Sequence, residues 1–187
     1  MKRPFNAREI AYIGLGAALI AVCAWISIPL PQPLVPFTLQ TFAVCLVCAV
    51  FGWKLGLWTV VVYILLGAVG VPVFSGFRGG IGVLLGTTGG YIVGFLFTAL
   101  LVGLAADRIG RGLPVMLISM ALGILVCYAF GTAWFVVVYT RNSGAIGVWT
   151  ALSWCVFPYL IPDALKLVLA SLLARRLHGL TGKLLAA

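Results

Sequence analysis

Long apolar runs, with almost no charge inside them, dominate this chain. Residues 10–28, 38–53, 55–72, 88–106 and 113–139 each read as a near-continuous hydrophobic stretch, and a sixth ends near residue 175. A helix that crosses a bilayer needs about 20 mainly apolar residues, because each residue rises about 1.5 Å through a core about 30 Å thick. Backbone polar groups in lipid must pair within the protein, so only helices and closed barrels can span. The runs lack the polar/apolar alternation of a barrel strand. They therefore predict an all-α integral membrane protein. The composition agrees: 64% of the 187 residues are hydrophobic and 8% are charged, against about 25% charged in soluble domains. The chain reads as one membrane domain over residues 1–187.

The expected spans are 10–28, 38–53, 55–72, 88–106, 113–139 and 162–176, a bundle of six. The second and third are joined by Gly52-Trp53-Lys54-Leu55-Gly56, which reads as a tight turn. The first run is long enough to span. Ile28-Pro29-Leu30-Pro31 behind it is a poor signal-peptide cleavage site, so it is expected to stay as a helix.

Positive charge sets the orientation. Lys2, Arg3, Arg8, Lys54, Arg108, Arg111, Arg175, Arg176 and Lys183 fall at one set of ends, and only Arg78 and Arg141 at the other. Both termini are expected in the cytoplasm. This asymmetry accounts for the net charge of +9 without a nucleic-acid partner.

Both outer connections are unusual. The first, residues 29–40, carries four prolines and reads as a stiff cap. The second, residues 72–91, holds seven glycines yet is apolar. Apolar non-helical backbone is tolerated at a membrane where it is buried in protein or lines a cavity. The two loops are expected to cap a ligand pocket at the outer face, the alternative being a merely compact loop.

Asp163 and Lys166 are ionisable residues inside the last apolar segment. Such residues are costly in lipid and usually face the interior or a cavity. Pro158 and Pro162 place the helix start at Pro162. Asp163 then sits in the first turn, where the helix dipole favours a carboxylate, with Lys166 on the same face. Residues 162–176 cover only about 22 Å, so this span is expected to be short. Residues 145–157 would form a separate apolar segment, outside or re-entrant. The cation suits a ligand carboxylate or carbonyl, and the carboxylate suits a ligand N–H. The alternative is an internal pair that only pins the helix.

Other chemistry has little material. There is no Walker A motif, H-E-x-x-H or G-x-S-x-G, and the acids number three: Glu9, Asp107 and Asp163. No enzyme is expected. The cysteines, 23, 45, 48, 127 and 155, and the lone His178 make no metal set and read as packing residues. On the first helix, Ala17/Ala21 and Gly14/Ala18 form two small-residue stripes, suited to packing inside the bundle or to docking another subunit.

Four stretches carry a family resemblance: Pro36-Phe37-Thr38-Leu39-Gln40-Thr41-Phe42; Gly70-Val71-Pro72-Val73-Phe74; residues 79–91, ending Gly89-Gly90-Tyr91; and Pro158-Tyr159-Leu160-Ile161-Pro162-Asp163-Ala164-Leu165-Lys166. Together they resemble the BioY family, the biotin-specific substrate-binding subunits of energy-coupling factor transporters. The match runs through essentially the whole chain in order. The resemblance implies a multi-pass protein of the cell membrane that captures biotin at its outer face, with biotin as cargo and no cofactor. It implies a transmembrane coupling subunit and ATPase subunits as partners, beside membrane lipid, with a homo-oligomer left open. It places Asp163 and Lys166 on the ligand. Tyr91, Phe74, Phe37, Gln40, Arg78, Gly89 and Gly90 complete the candidate site, although Arg78 has no clear counterpart. It also implies docking of the coupling subunit at Ala17 and Ala21. A subunit for another vitamin, or a membrane scaffold, is the alternative.

Gly103-Leu104-Ala105-Ala106-Asp107-Arg108-Ile109-Gly110-Arg111 resembles instead a cytoplasmic loop of major facilitator transporters. That family needs about twelve spans, too many for this chain by helix length alone. The segment reads as a helix end with an Asp107–Arg111 pair.

Overall fold

The computed structural model of the chain describes residues 5–31 and 34–186, with side chains described as far as residue 177. The expectations placed on Lys2, Arg3, Gln32, Pro33, His178 and Lys183 lie outside these described residues or side chains.

The elements run α1 (Ala7–Trp25), β1 (Ser27–Ile28), β2 (Phe37–Thr38), α2 (Gln40–Ala68), α3 (Ile81–Leu85), α4 (Gly89–Arg108), α5 (Leu113–Ser143), α6 (Val148–Cys155), a 3-10 turn (Phe157–Tyr159) and α7 (Leu160–Ala186). Five helical segments among the described residues are long and apolar enough to cross a membrane: Ala7–Trp25, Gln40–Ala68, Gly89–Arg108, Leu113–Ser143 and Val148–Leu177.

The segment α2 covers both the second and third expected spans. It does not run straight. Gly52 leaves helical geometry at φ 77 and ψ −176, a region that glycine enters freely because it has no Cβ. Gln40 Nε2 donates to the Tyr63 hydroxyl at 2.5 Å although 23 residues separate them; a straight helix would hold them roughly 34 Å apart. A Cβ on Gly56 would lie 2.9 Å from the Cys48 backbone. So residues 40–51 and 53–68 are two limbs packed side by side. Asp107 closes the turn: its Oδ2 accepts from the Trp53 backbone N–H at 2.9 Å. Its Oδ1 pairs with Arg111 at 2.9 Å, the pair expected from the sequence. Arg111 Nε in turn donates to the Ala49 carbonyl at 3.0 Å.

Lipid tails are as apolar as leucine, so helix association in a membrane relies on close packing of small residues. Here α4 and α5 meet where Gly94 faces Cys127 and Gly123 faces Thr98, and Thr98 Oγ1 donates to the Gly123 carbonyl at 2.9 Å. The core is lined by Ala, Val, Cys and Met side chains such as Ala43, Val44, Cys45, Cys48, Met116 and Met120. Leu15, Leu65, Ile118, Leu125, Leu165 and Leu169 point outward. Exposed tryptophans mark both ends of the bundle, Trp25 and Trp149 at one and Trp53 and Trp58 at the other, as membrane interfaces favour.

Two expectations about the last helix change. The last helix starts at Leu160, behind a 3-10 turn that contains Pro158, so Pro162 is its third residue and not its first. It continues to Ala186, 27 residues in all, or about 40 Å, so the last helix is not short. The 145–157 segment holds α6, which buries Ala151 and Cys155. The fold also carries a small sheet: β1 and β2 pair antiparallel, Ser27 with Thr38 and Ile28 with Phe37. The proline-rich connection thus joins two paired strands.

Candidate ligand-binding site

A cavity lies at the end of the bundle opposite the Gly52 turn. Asp163 and Lys166 are both 5% exposed and line it. Lys166 Nζ lies 2.7 Å from Asp163 Oδ1, so the pair is nearly neutral as a unit. That matters because a buried charge without a partner is strongly destabilising. The ammonium also donates to the Thr38 carbonyl at 2.6 Å and sits 3.9 Å from the Phe37 ring centre. The Tyr128 hydroxyl donates to Asp163 Oδ2, and Thr41 Oγ1 donates to Oδ1 at 3.3 Å.

The arithmetic of these bonds defines what the pair can still do. A carboxylate has about four lone-pair sites, and Tyr128, Thr41 and Lys166 occupy three of them. An ammonium has three N–H donors, and Asp163 and Thr38 take two. One acceptor position, on Asp163 Oδ2, and one donor position, on Lys166, are therefore not used by these bonds, and both residues are buried. A neutral group that offers an N–H beside a C=O complements them better than a second carboxylate does.

The walls are mainly apolar and aromatic, with Phe74, Tyr91, Ile92, Phe95, Ile124 and Tyr159 among them. The cavity has a volume of about 80 Å3, several times the roughly 10–15 Å3 that one water needs. The first outer loop closes it with Val35 and Pro36; the Tyr159 hydroxyl donates to the Val35 carbonyl. The second loop contributes Phe74, Ser75 and Arg78. Pro36, Ser75, Arg78 and Thr88 also border a vestibule of about 450 Å3, so the cavity opens toward that side.

Asp163, Lys166, Tyr91, Phe74, Gln40 and Arg78 come together on the cavity wall. Phe74 is fixed by an edge-on contact with Tyr63 at 5.6 Å and by Gly67, where a Cβ would lie 2.0 Å from its ring. Tyr91 donates to or accepts from Thr132 at 2.9 Å, and its ring fills the space that a Cβ on Gly131 would occupy. Gln40 links the two loops, because its partner Tyr63 donates on to the Val73 carbonyl at 3.1 Å. Arg78 is exposed at the mouth, with Nε donating to the Ser75 carbonyl at 3.1 Å.

Three expected site residues are placed otherwise. Phe37 does not face the cavity; its ring lies against the Lys166 ammonium. Gly89 and Gly90 are buried and allow close packing, against the Leu84 carbonyl and the Trp134 side chain. Ala17 and Ala21 are 3% and 5% exposed and face into the bundle, which corrects their reading as a docking surface. Gly14 and Ala18, the other stripe, are the exposed ones.

Sequence reasoning missed Tyr128, Thr41, Tyr159, Cys127 and Cys155, all of which line the cavity. Tyr128 carried one signal: a hydroxyl in the middle of a span has to find a partner.

The chain matches the family model described as "BioY family" over residues 1–183. It is 42% identical to "Biotin transporter BioY" of Thermotoga maritima, over 92% of this chain and 97% of that protein. It is 39% identical to "Probable biotin transporter BioY" of Pyrococcus horikoshii, over 94% of this chain and 99% of the other. A crystal structure described as the S-component for biotin from an ECF-type ABC transporter superposes with a TM-score of 0.81 at 26% identity, covering 94% of this chain and 95% of that one.

Proposed function

The chain belongs to the BioY family, and from that premise we propose that it is the biotin-binding subunit of an energy-coupling factor transporter, a multi-pass protein of the cell membrane. The observation that carries this reading is the buried Asp163–Lys166 pair, which keeps one acceptor and one donor position free at the cavity wall. The ureido head of biotin offers an N–H and a C=O, the complementary pair of groups. Asp163 accepts from the N–H and Lys166 donates to the carbonyl. The apolar ring system rests among Phe74, Tyr91 and Phe95, in the manner of a pocket whose few polar groups fix orientation. The carboxylate tail leads toward Arg78 at the mouth.

The chain crosses the membrane six times, with both ends in the cytoplasm. The fold-back at Gly52 supports the even count. Lys54, Arg108 and Arg111 lie at the end away from the cavity, and Arg78 and Arg141 at the cavity end, which supports the orientation. Biotin then arrives from outside. A transmembrane coupling subunit and ATPase subunits drive its import, and the exposed Gly14–Ala18 side of α1 gives the coupling subunit a face for close helix contact.

Titration calorimetry with biotin on the isolated chain tests the central reading. One biotin binds per chain, and saturating biotin raises the unfolding temperature, as a ligand of the folded state must. The absence of both binding heat and a thermal shift would return the chain to the scaffold reading or to a different vitamin.

A further inference from the structure

The chain has only three side-chain carboxylates, and each is already taken. Glu9 pairs with Lys54 at 3.6 Å, Asp107 with Arg111 at 2.9 Å and Asp163 with Lys166 at 2.7 Å. Arg108, in the last turn of α4, makes no side-chain hydrogen bond or ion pair among the described residues. It is exposed and stands at the rim of a groove of about 650 Å3 between α4 and α5. The groove has a packing origin. Toward the cavity end the two helices touch at Thr98 and Gly123. Nearer their connecting turn, the small Ala105 and Ser119 face the gap instead. The Ser119 hydroxyl is turned back onto the Met116 carbonyl at 3.0 Å, so it adds no free polar group. Leu101, Ile118 and Leu122 form the sides, and the last two are 61% and 51% exposed.

An apolar trough with an uncompensated guanidinium at its end matches one class of molecule found at a membrane interface. We propose that this groove is a binding site for an anionic phospholipid. The phosphate sits on Arg108, and an acyl chain lies along Leu101, Ile118 and Leu122. Basic positions between helices at the cytoplasmic side are suited to anionic headgroups, and a guanidinium pairs with phosphate through two parallel hydrogen bonds. Among the described residues no side-chain carboxylate pairs with Arg108. A two-fold dimer on this face is disfavoured for a related reason, because symmetry would bring two Arg108 side chains to one seam. The assignment to the cytoplasmic leaflet rests on the orientation proposed above; the groove and its charge do not.

Native mass spectrometry of the detergent-purified chain tests the site. The chain is incubated with phosphatidylglycerol or phosphatidylcholine carrying the same acyl chains. Wild type retains one phosphatidylglycerol and holds phosphatidylcholine at least about fivefold more weakly, as expected for about 1 kcal/mol per basic residue at a lipid surface. R108Q lowers phosphatidylglycerol retention by about the same factor, R108K keeps most of it, and R175Q, another exposed arginine away from the groove, leaves it unchanged. Equal retention of the two lipids, undiminished retention by R108Q, or a dimer in place of the lipid adduct overturns the proposal. Biotin binding is measured on the same samples. Normal biotin binding by R108Q shows that the variant is folded. A wild type that holds phosphatidylglycerol but no biotin overturns the transport reading and leaves the lipid site standing.

Discussion

Lys166 Nζ donates to the main-chain carbonyl of Thr38 at 2.6 Å, so one buried cation on the last helix holds the first outer loop and the Asp163 carboxylate together. Thr38 belongs to β2, whose pairing with β1 shapes the loop. Phe37, its neighbour, covers the ammonium. A side chain offered to a ligand at this point is therefore also a tie between the bottom of the cavity and its cover. Anything that draws Lys166 toward a ligand oxygen acts on the loop through the same atom.

Removing one partner and removing the whole unit should give different results. Lys166→Met leaves the Asp163 carboxylate buried without its cation and should cost about 3–5 kcal/mol of stability. Replacing Asp163, Lys166 and Tyr128 together by Leu, Met and Phe removes the charge, its partner and the dependent hydroxyl, and should recover most of that loss. Neither variant should bind biotin. Thermal unfolding and calorimetry on both are the measurement. Wild-type biotin affinity in the triple variant would show that the pair is only structural.

Arg78 is exposed, so its charge is worth about 1 kcal/mol or less to a bound carboxylate. R78Q should weaken biotin binding by about fivefold and leave the affinity for biotin methyl ester unchanged. Equal losses for the acid and the ester would mean that Arg78 acts by shaping the loop through Ser75.

The orientation is open to a labelling experiment, because all five native cysteines are buried and can be replaced by alanine or serine. Lys54 and Asn142 are both exposed, at opposite ends. In intact cells a membrane-impermeant maleimide should label Asn142→Cys and spare Lys54→Cys until the cells are opened. The reverse pattern would invert the protein and put the cavity inside.

What the sequence made legible follows from period and solvent. Apolar runs report spans because the bilayer sets their length. Gly52 reported a turn because two such runs met there, and Asp163 with Lys166 reported a candidate site because two residues three positions apart on a helix share a face. Tyr128 signalled only that its hydroxyl needs a partner and not which one, because Asp163 lies 35 residues away, on another helix. The choice between Ala17/Ala21 and Gly14/Ala18 failed for a different reason. A helix that is apolar all round does not mark its inward side when lipid is the solvent. Gly89 and Gly90 lay in the right motif, but glycine signals only close approach, and here another helix and loop approach them where a ligand was expected.

Cavity shape rests on glycines one layer behind it. A Cβ on Gly131 would lie 2.2 Å from Tyr91 Cδ1, and one on Gly67 would lie 2.0 Å from Phe74 Cζ. Gly131→Ala and Gly67→Ala should each push an aromatic ring into the cavity. Overpacking of this kind typically costs about 1–3 kcal/mol, so biotin affinity should fall about tenfold or more. Gly82→Ala, with nothing within 4 Å of the new methyl, is the control and should bind as wild type. Unchanged affinity in all three would remove Tyr91 and Phe74 from the site.

The turn at the far end gives the sharpest single test of the fold. Gly52 holds φ at 77, and a Cβ there would lie 2.4 Å from Asp107 Oδ2, the atom that accepts from the Trp53 N–H. Gly52→Ala must therefore bear backbone strain of about 1–3 kcal/mol and also displace the carboxylate that caps the second limb. Asp107→Ala loses the cap and the Arg111 pair but not the φ, and should cost about 0.5–2 kcal/mol. In the double variant Gly52→Ala/Asp107→Ala the methyl no longer meets the carboxylate. Its loss should then fall short of the sum of the two single losses, by the part due to the clash. Thermal unfolding of the four proteins measures this. Strict additivity would mean that Asp107 moves aside freely, and that the clasp does not hold the two limbs of α2 together.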